Sequence, residues 1–222
     1  MPYFQIEFID FFKNLTANNN KNWFDANKTT YEKNVKNPFQ VFIQDLIIAF
    51  SKYNSNIEKE AKNSIFRIYR DVRFSKDKTP YKLFTSALIS PTGRKDISNS
   101  GFYLEFGPEY ISIFGGIYMP DKFQINKIRN HIANYSSDLQ RILKSDEFRK
   151  KFIEIKGEKQ VRINSEFKNV AIEQPLIMNK QWYIEAKLPA LTLLNENLIE
   201  IIITYLIVAL PLNHFVSEAL NQ

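Results

Sequence analysis

The apolar side chains of this 222-residue chain change their period twice, and only a mixed fold accommodates both changes. Phe4, Phe8, Phe11, Phe12 and Leu15 recur at helical spacing until the Asn18-Asn19-Asn20 cluster breaks the pattern. Asn22 is expected to cap a second helix, from Trp23 to about Val35, that buries Phe24, Tyr31 and Val35. Asn37-Pro38 reads as a third start, a capping amide followed by a proline in the first turn. Phe39, Phe42, Ile43, Leu46, Ile47 and Phe50 then form an apolar helix face, and residues 52–63 are a polar connector.

In the middle the period drops to two. Phe66, Ile68, Val72 and Phe74 lie opposite Arg67, Tyr69, Asp71 and Arg73, which predicts a strand over residues 66–74. A second strand is expected from Leu83 to Ser90, and a hairpin from Phe102 to Tyr118 turns at Gly107-Pro108-Glu109. Such short links imply antiparallel pairing. Gly115-Gly116 holds two of only six glycines, and inside a strand that pair implies a bulge or a close backbone approach, with Trp23 one candidate for the packing.

Helical spacing then returns. Asp121 is a cap for a helix carrying Ile125, Ile128, Ile132 and Tyr135, on which Arg129 is expected at the solvated face. Leu139, Ile142 and Leu143 continue after a break near Ser136. Ile177 to Leu188 reads as a strand, followed by closing helices from Asn195 and from Pro211. Within Leu198–Leu212 the apolar run between Glu200 and Pro211 falls short of the about 20 residues a membrane span needs, so it is expected to be a buried helix. The fold class is therefore α+β, with N-terminal and C-terminal helices packed on a mainly antiparallel sheet, in a single domain over residues 1–222.

With no cysteine, disulfides, thiolate nucleophiles and cysteine-bound metals are excluded. That fits a reducing compartment, the first residues lack a signal-peptide pattern, and a cytoplasmic location is the expectation. His131 and His214, the only histidines, have no nucleophile or metal-ligand spacing beside them. No Walker loop, dinucleotide fingerprint or nucleophile elbow occurs, so no cofactor is expected. An oxygen-only Mg²⁺ site from Asp71, Asp77 and Glu105 would meet carboxylates already neutralised by arginine.

Positive charge is concentrated in one place. Eight arginines stand against 22 lysines, yet three of the eight are Arg67, Arg70 and Arg73. Residues 67–82 hold six positive and two negative side chains, contributing +4 to a net charge of +6. Arginine clustered against a lysine bias implies a need for the flat guanidinium, which grips carboxylate or phosphate with two bonds. On a regular strand Asp71 sits between Arg67 and Arg73, which depress its pKa and suit it to orienting cations rather than to general-base catalysis. Arg70 falls among Phe and Ile and needs a carboxylate opposite, with Glu105 the candidate, unless a β-bulge redirects it. The loop Ser75–Lys82 adds Lys76, Lys78, Tyr81 and Lys82, stiffened by Pro80. The candidate ligand-binding set is thus Arg67, Arg70, Asp71, Arg73, Lys78, Tyr81 and Lys82, and the competing reading is a structural ion-pair network.

At this run the chain resembles domain-of-unknown-function family 2461, a group of uncharacterised bacterial proteins. The shared pattern falls on Arg67, Arg70, Asp71, Arg73, Phe74, Asp77, Lys78 and Tyr81. Asn18 to Phe24, Gly115-Gly116 before Tyr118-Met119-Pro120, and Lys127-Ile128-Arg129 also look like family features. The stretch Arg162 to Phe167 departs from a Pro-x-Gly-Tyr turn common in the family. The resemblance implies relatives but no activity.

The functional expectation is binding of an anionic, phosphorylated small molecule, gripped by Arg67 and Arg73 with Lys78 and Tyr81 closing over it. The alternatives are a phosphoryl- or nucleotide-processing enzyme, which lacks a convincing general base, and a module that meets an acidic protein partner. Nucleic acid is disfavoured because the aromatics fit helix and strand cores rather than a stacking stripe. No membrane partner is expected.

Overall fold

The N-terminal stripe forms helix α1 (Ile6–Ala17), with Phe8, Ile9, Phe11, Phe12 and Leu15 buried. In the computed structural model, which describes residues 1–222, helix α2 (Lys21–Ala26) follows. It is capped by Asn20, not Asn22: the Asn20 side chain accepts from the Trp23 backbone N–H at 3.0 Å. Trp23 is half-buried, its ring 5.6 Å from Phe11.

Helix α3 (Lys28–Tyr31) runs through a π-helical turn, Glu32–Lys36, into α4 (Asn37–Phe50) without the break that Asn37-Pro38 suggested. The reason is the proline itself. Pro38 cannot donate to the carbonyl one turn back, and its ring crowds that carbonyl. A wider turn, in which the Asn37 N–H reaches the Glu32 oxygen, lets the helix continue. The predicted face of α4 is buried in full. The polar connector contains one short helix, α5 (Ala61–Ser64).

Strands β1 (Thr85–Ile89), β2 (Gly101–Phe106) and β3 (Tyr110–Ile117) precede helices α6 (Lys122–Asn134), α7 (Ser136–Lys144) and α8 (Asp146–Lys151). Helix α9 (Lys168–Glu173), strand β4 (Trp182–Pro189) and helix α10 (Leu198–Asn221) complete the chain. The fold is α+β, with a four-stranded antiparallel sheet in the order β1-β2-β3-β4. Residues 66–74 contribute no strand to it, which corrects the expectation for that segment.

Two compact units share the chain. The first comprises Met1–Lys95, Tyr103–Ser112 and Lys187–Ile203. Its core is aromatic: Phe106 meets Phe4, Phe39 and Phe42 at ring separations of 5.7, 5.2 and 5.3 Å. All four rings are essentially inaccessible, and each such burial contributes about 1.5–3 kcal/mol.

The second unit comprises Asp96–Phe102, Ile113–Ala186 and Thr204–Gln222. Asp121 and Gln124 form a reciprocal capping box at the start of α6. Gly116 has φ +111°, and a Cβ there would collide with the Trp182 carbonyl oxygen, so the glycine pair serves the close approach of β3 to β4. Helix α10 runs straight through Pro211, where two helices were expected. Pro211 lies on the exposed stripe with Thr204, His214 and Glu218, where water can bond the carbonyl the proline leaves free. By length and apolarity α10 could cross a membrane, yet Leu206, Ala209, Leu212, Val216 and Ala219 are almost wholly buried within the fold.

Candidate functional site

The cationic segment lies in the first unit on two facing extended stretches. Antiparallel bridges join Ile65 to Ala87 and Tyr69 to Tyr81. Residues 65–69 thus face residues 81–87, a mismatch of two residues that interrupts the ladder between the bridges. Beyond them the Arg70 N–H reaches the Pro80 carbonyl at 2.9 Å, and pairing stops because Pro80 has no N–H to return.

The loop beyond is braced by its own charges. Arg70 Nη1 donates to Asp77 Oδ2 at 2.6 Å, to the Thr79 carbonyl at 3.1 Å and to the Thr79 hydroxyl. Its partner is therefore Asp77, not Glu105. The Asp77 carboxylate also accepts from the Thr79 backbone N–H at 2.9 Å. That bond, with Arg70, holds its pKa down at about 2. Arg73 grips Asp71 with both edges of its fork, Nε at 3.0 Å and Nη2 at 2.7 Å. Those bonds hold the Asp71 carboxyl at about 2, with Arg67 a smaller influence. Lys78 Nζ donates to the Val72 carbonyl at 2.9 Å. Asp71 and Asp77 are each committed to an arginine, so they do not converge with Glu105.

Tyr81 belongs to the core. It is 2% exposed, stacks on Phe24 at 4.0 Å, and both its backbone groups are held by the Asn19 amide. One member of the asparagine cluster thus pins the segment's far end.

Arg67 and Lys82 differ from the rest. Arg67 is exposed, and no carboxylate lies within 4.0 Å of it. The Lys82 ammonium sits over the rings of Phe66 and Phe84, 5.2 and 5.8 Å from their centroids. Burial lowers its pKa, Glu105 opposes that shift, and the charge on Arg67 adds to it. Beside them Tyr103 and Glu105 alternate onto one face of β2, and burial drives the Tyr103 phenol well above its ordinary value. The buried Ser86 hydroxyl lies beside that phenol and opposes the rise. Sequence reading named Glu105 for the wrong cation and missed Tyr103 and Ser86; the alternation on β2 was the available signal.

In the second unit Arg129 is 7% exposed, not solvated. Its Nε donates to the Ile177 carbonyl at 2.9 Å, and its Nη2 to Gln160 Oε1 at 2.5 Å and the Asn179 carbonyl at 3.1 Å. His131 and His214, far apart in sequence, line one recess with Glu218, whose Oε2 is 3.9 Å from His131 Nε2.

The chain matches no curated protein. A family model does match, over residues 7–215, nearly the whole length and including every motif residue from Arg67 to Tyr81. On that match the chain belongs to the family described as conserved hypothetical protein (DUF2461).

Proposed function

We propose that this protein binds a small anionic, phosphorylated ligand in its first unit, on the surface carrying Arg67 and Lys82. One observation carries this reading: Arg67 is exposed with no carboxylate within 4.0 Å, beside a Lys82 whose pKa is lowered chiefly by burial and, to a smaller degree, by the charge on Arg67. Two cations that repel each other are both relieved by an anion placed between them. Arg67 supplies a two-pronged fork and Lys82 a partly desolvated point charge. Arg70, Asp71, Arg73 and Lys78 then act as bracing around the ligand rather than as its grip.

Differential scanning fluorimetry with inorganic phosphate, sugar phosphates and nucleotides tests this. At least one compound is expected to raise the melting temperature of the wild type, and Arg67→Ala and Lys82→Met each to weaken it about tenfold, the scale of one charge-assisted contact. Arg73→Ala should leave the response intact. No stabilisation of the wild type by any of these anions, or full stabilisation of both Arg67→Ala and Lys82→Met, overturns the reading.

A second reading, docking of an acidic protein partner, draws on Phe74. It is 96% exposed at the end of the braced loop, between Arg73 and Lys76. Such a contact should weaken as salt rises and be lost in Phe74→Ala.

A further inference from the structure

The second unit holds a recess of about 690 Å³, lined by residues of α6, α7 and α10, that the reading above does not use. His131 lines it yet is only 3% exposed, its ring packed on those of Tyr135 and Phe215 at 4.6 and 4.5 Å. The Gln222 amide nitrogen donates to His131 Nδ1 at 3.1 Å, which places the ring's own proton on Nε2. That N–H reaches no acceptor: the carboxylate oxygen it faces, Glu218 Oε2, is 3.9 Å away, too far for a hydrogen bond. Native folds rarely leave a buried donor unmatched. Glu218 is exposed on the same lining, and His131 is its one charge partner.

The gap between donor and acceptor selects what fills it. A hydroxyl oxygen about 2.8 Å from both ends accepts from the His131 N–H and donates to the Glu218 carboxylate. An ammonium has no lone pair for the N–H, and a carboxylate has no proton for Glu218. The remaining charges agree, because Asp138 and Arg141 pair with each other at 2.9 Å and leave Glu218 to repel an anion. Water meets the same two groups, so a ligand must also gain from the walls. Tyr135, 43% exposed, and the half-buried Ile142 supply apolar surface for the C–H face of a saturated ring.

We propose that this recess binds a neutral cyclic polyol of monosaccharide size, with one hydroxyl bridging His131 and Glu218 and the ring's C–H face against Tyr135 and Ile142. Apolar wall with a few placed polar groups is the usual make-up of a small-molecule site. His214 and Asn221 lie on the same lining and offer bonds to further hydroxyls.

Titration of the full chain with glucose, galactose, mannose and myo-inositol, followed by amide NMR, tests this. At least one is expected to shift the Tyr135 and Glu218 resonances saturably, while those of Arg67 and Lys82 in the first unit stay still. Acetate and methylammonium, each with only half of a hydroxyl's bonding capacity, should leave Tyr135 and Glu218 unmoved. Glu218→Ala, a change at an exposed position, should weaken the responding polyol about tenfold, the scale of one hydrogen bond. His131→Phe, which keeps a ring but removes the donor, should do the same once circular dichroism shows it native. No saturable shift with any of the four polyols, a response to acetate or methylammonium in their place, or undiminished affinity in Glu218→Ala overturns the proposal.

Discussion

The arginine-rich loop of the first unit and the lone Arg129 of the second put one side chain to opposite uses. Arg73 is exposed, sits two residues from its carboxylate, and that pairing raises its pKa. Arg129 is buried, gathers carbonyls from residues about fifty positions away, and burial lowers its pKa. Clustering in sequence therefore marked the arginines that neutralise themselves, because neighbours on the chain are the easiest partners to reach. Arg129, isolated in sequence, meets carbonyls and an amide oxygen but no carboxylate. Within the cluster spacing alone does not decide: Arg67 stands four residues from Asp71, yet Arg73 holds that carboxylate, whereas Arg70 reaches Asp77 seven residues on.

The largest effect should come from Arg129→Met. It strands the buried Ile177 and Asn179 carbonyls, at roughly 1–3 kcal/mol each, and should lower the melting temperature clearly. An unchanged melting temperature would mean that water or a neighbour replaces the guanidinium, and the contrast with Arg73 would collapse. Arg70→Ala should act locally. With Thr79 and Asp77 released, the amides of Arg70 and Lys82 that pair across the loop's base should exchange faster with deuterium, while the global melt moves little.

Arg73→Ala should do less, leaving the melting temperature unchanged, since an exposed pair two residues apart is screened by water. A marked loss of stability would instead reveal the structural network that competes with ligand binding. The smallest effect concerns acid. Asp71 and Asp77 have folded values near 2, below the ordinary carboxylate value of about 4. Their contribution is therefore complete above about pH 4 and is lost as pH falls toward 2. The amide resonances of Arg73 and Thr79 should shift in that window, and shifts completed above pH 4 would contradict the pairing.

Much of the fold was legible because its elements obey local periods. The stripes of α1 and α4, the hairpin of β2 and β3, the Asp121 cap and the break at Ser136 all depend on residues a few positions apart. Where reading failed, a distant partner had intervened. The interruption between residues 65 and 87 comes from matching two stretches of unequal length, and neither stretch contains that information alone. Pro38 and Pro211 were read as breaks, but a π turn absorbs the first and the exposed stripe of α10 tolerates the second.

Composition and spacing were enough to specify an α+β chain with one strongly cationic segment, because hydrophobic period and net charge are sums over neighbours. Which cation keeps charge to spare is a different kind of question. It depends on the acids, carbonyls and rings that folding brings within a few ångströms, and those arrive from anywhere along the chain. Asp77 on Arg70, Asn19 holding Tyr81 and the carbonyls around Arg129 were settled only when the chain closed on itself.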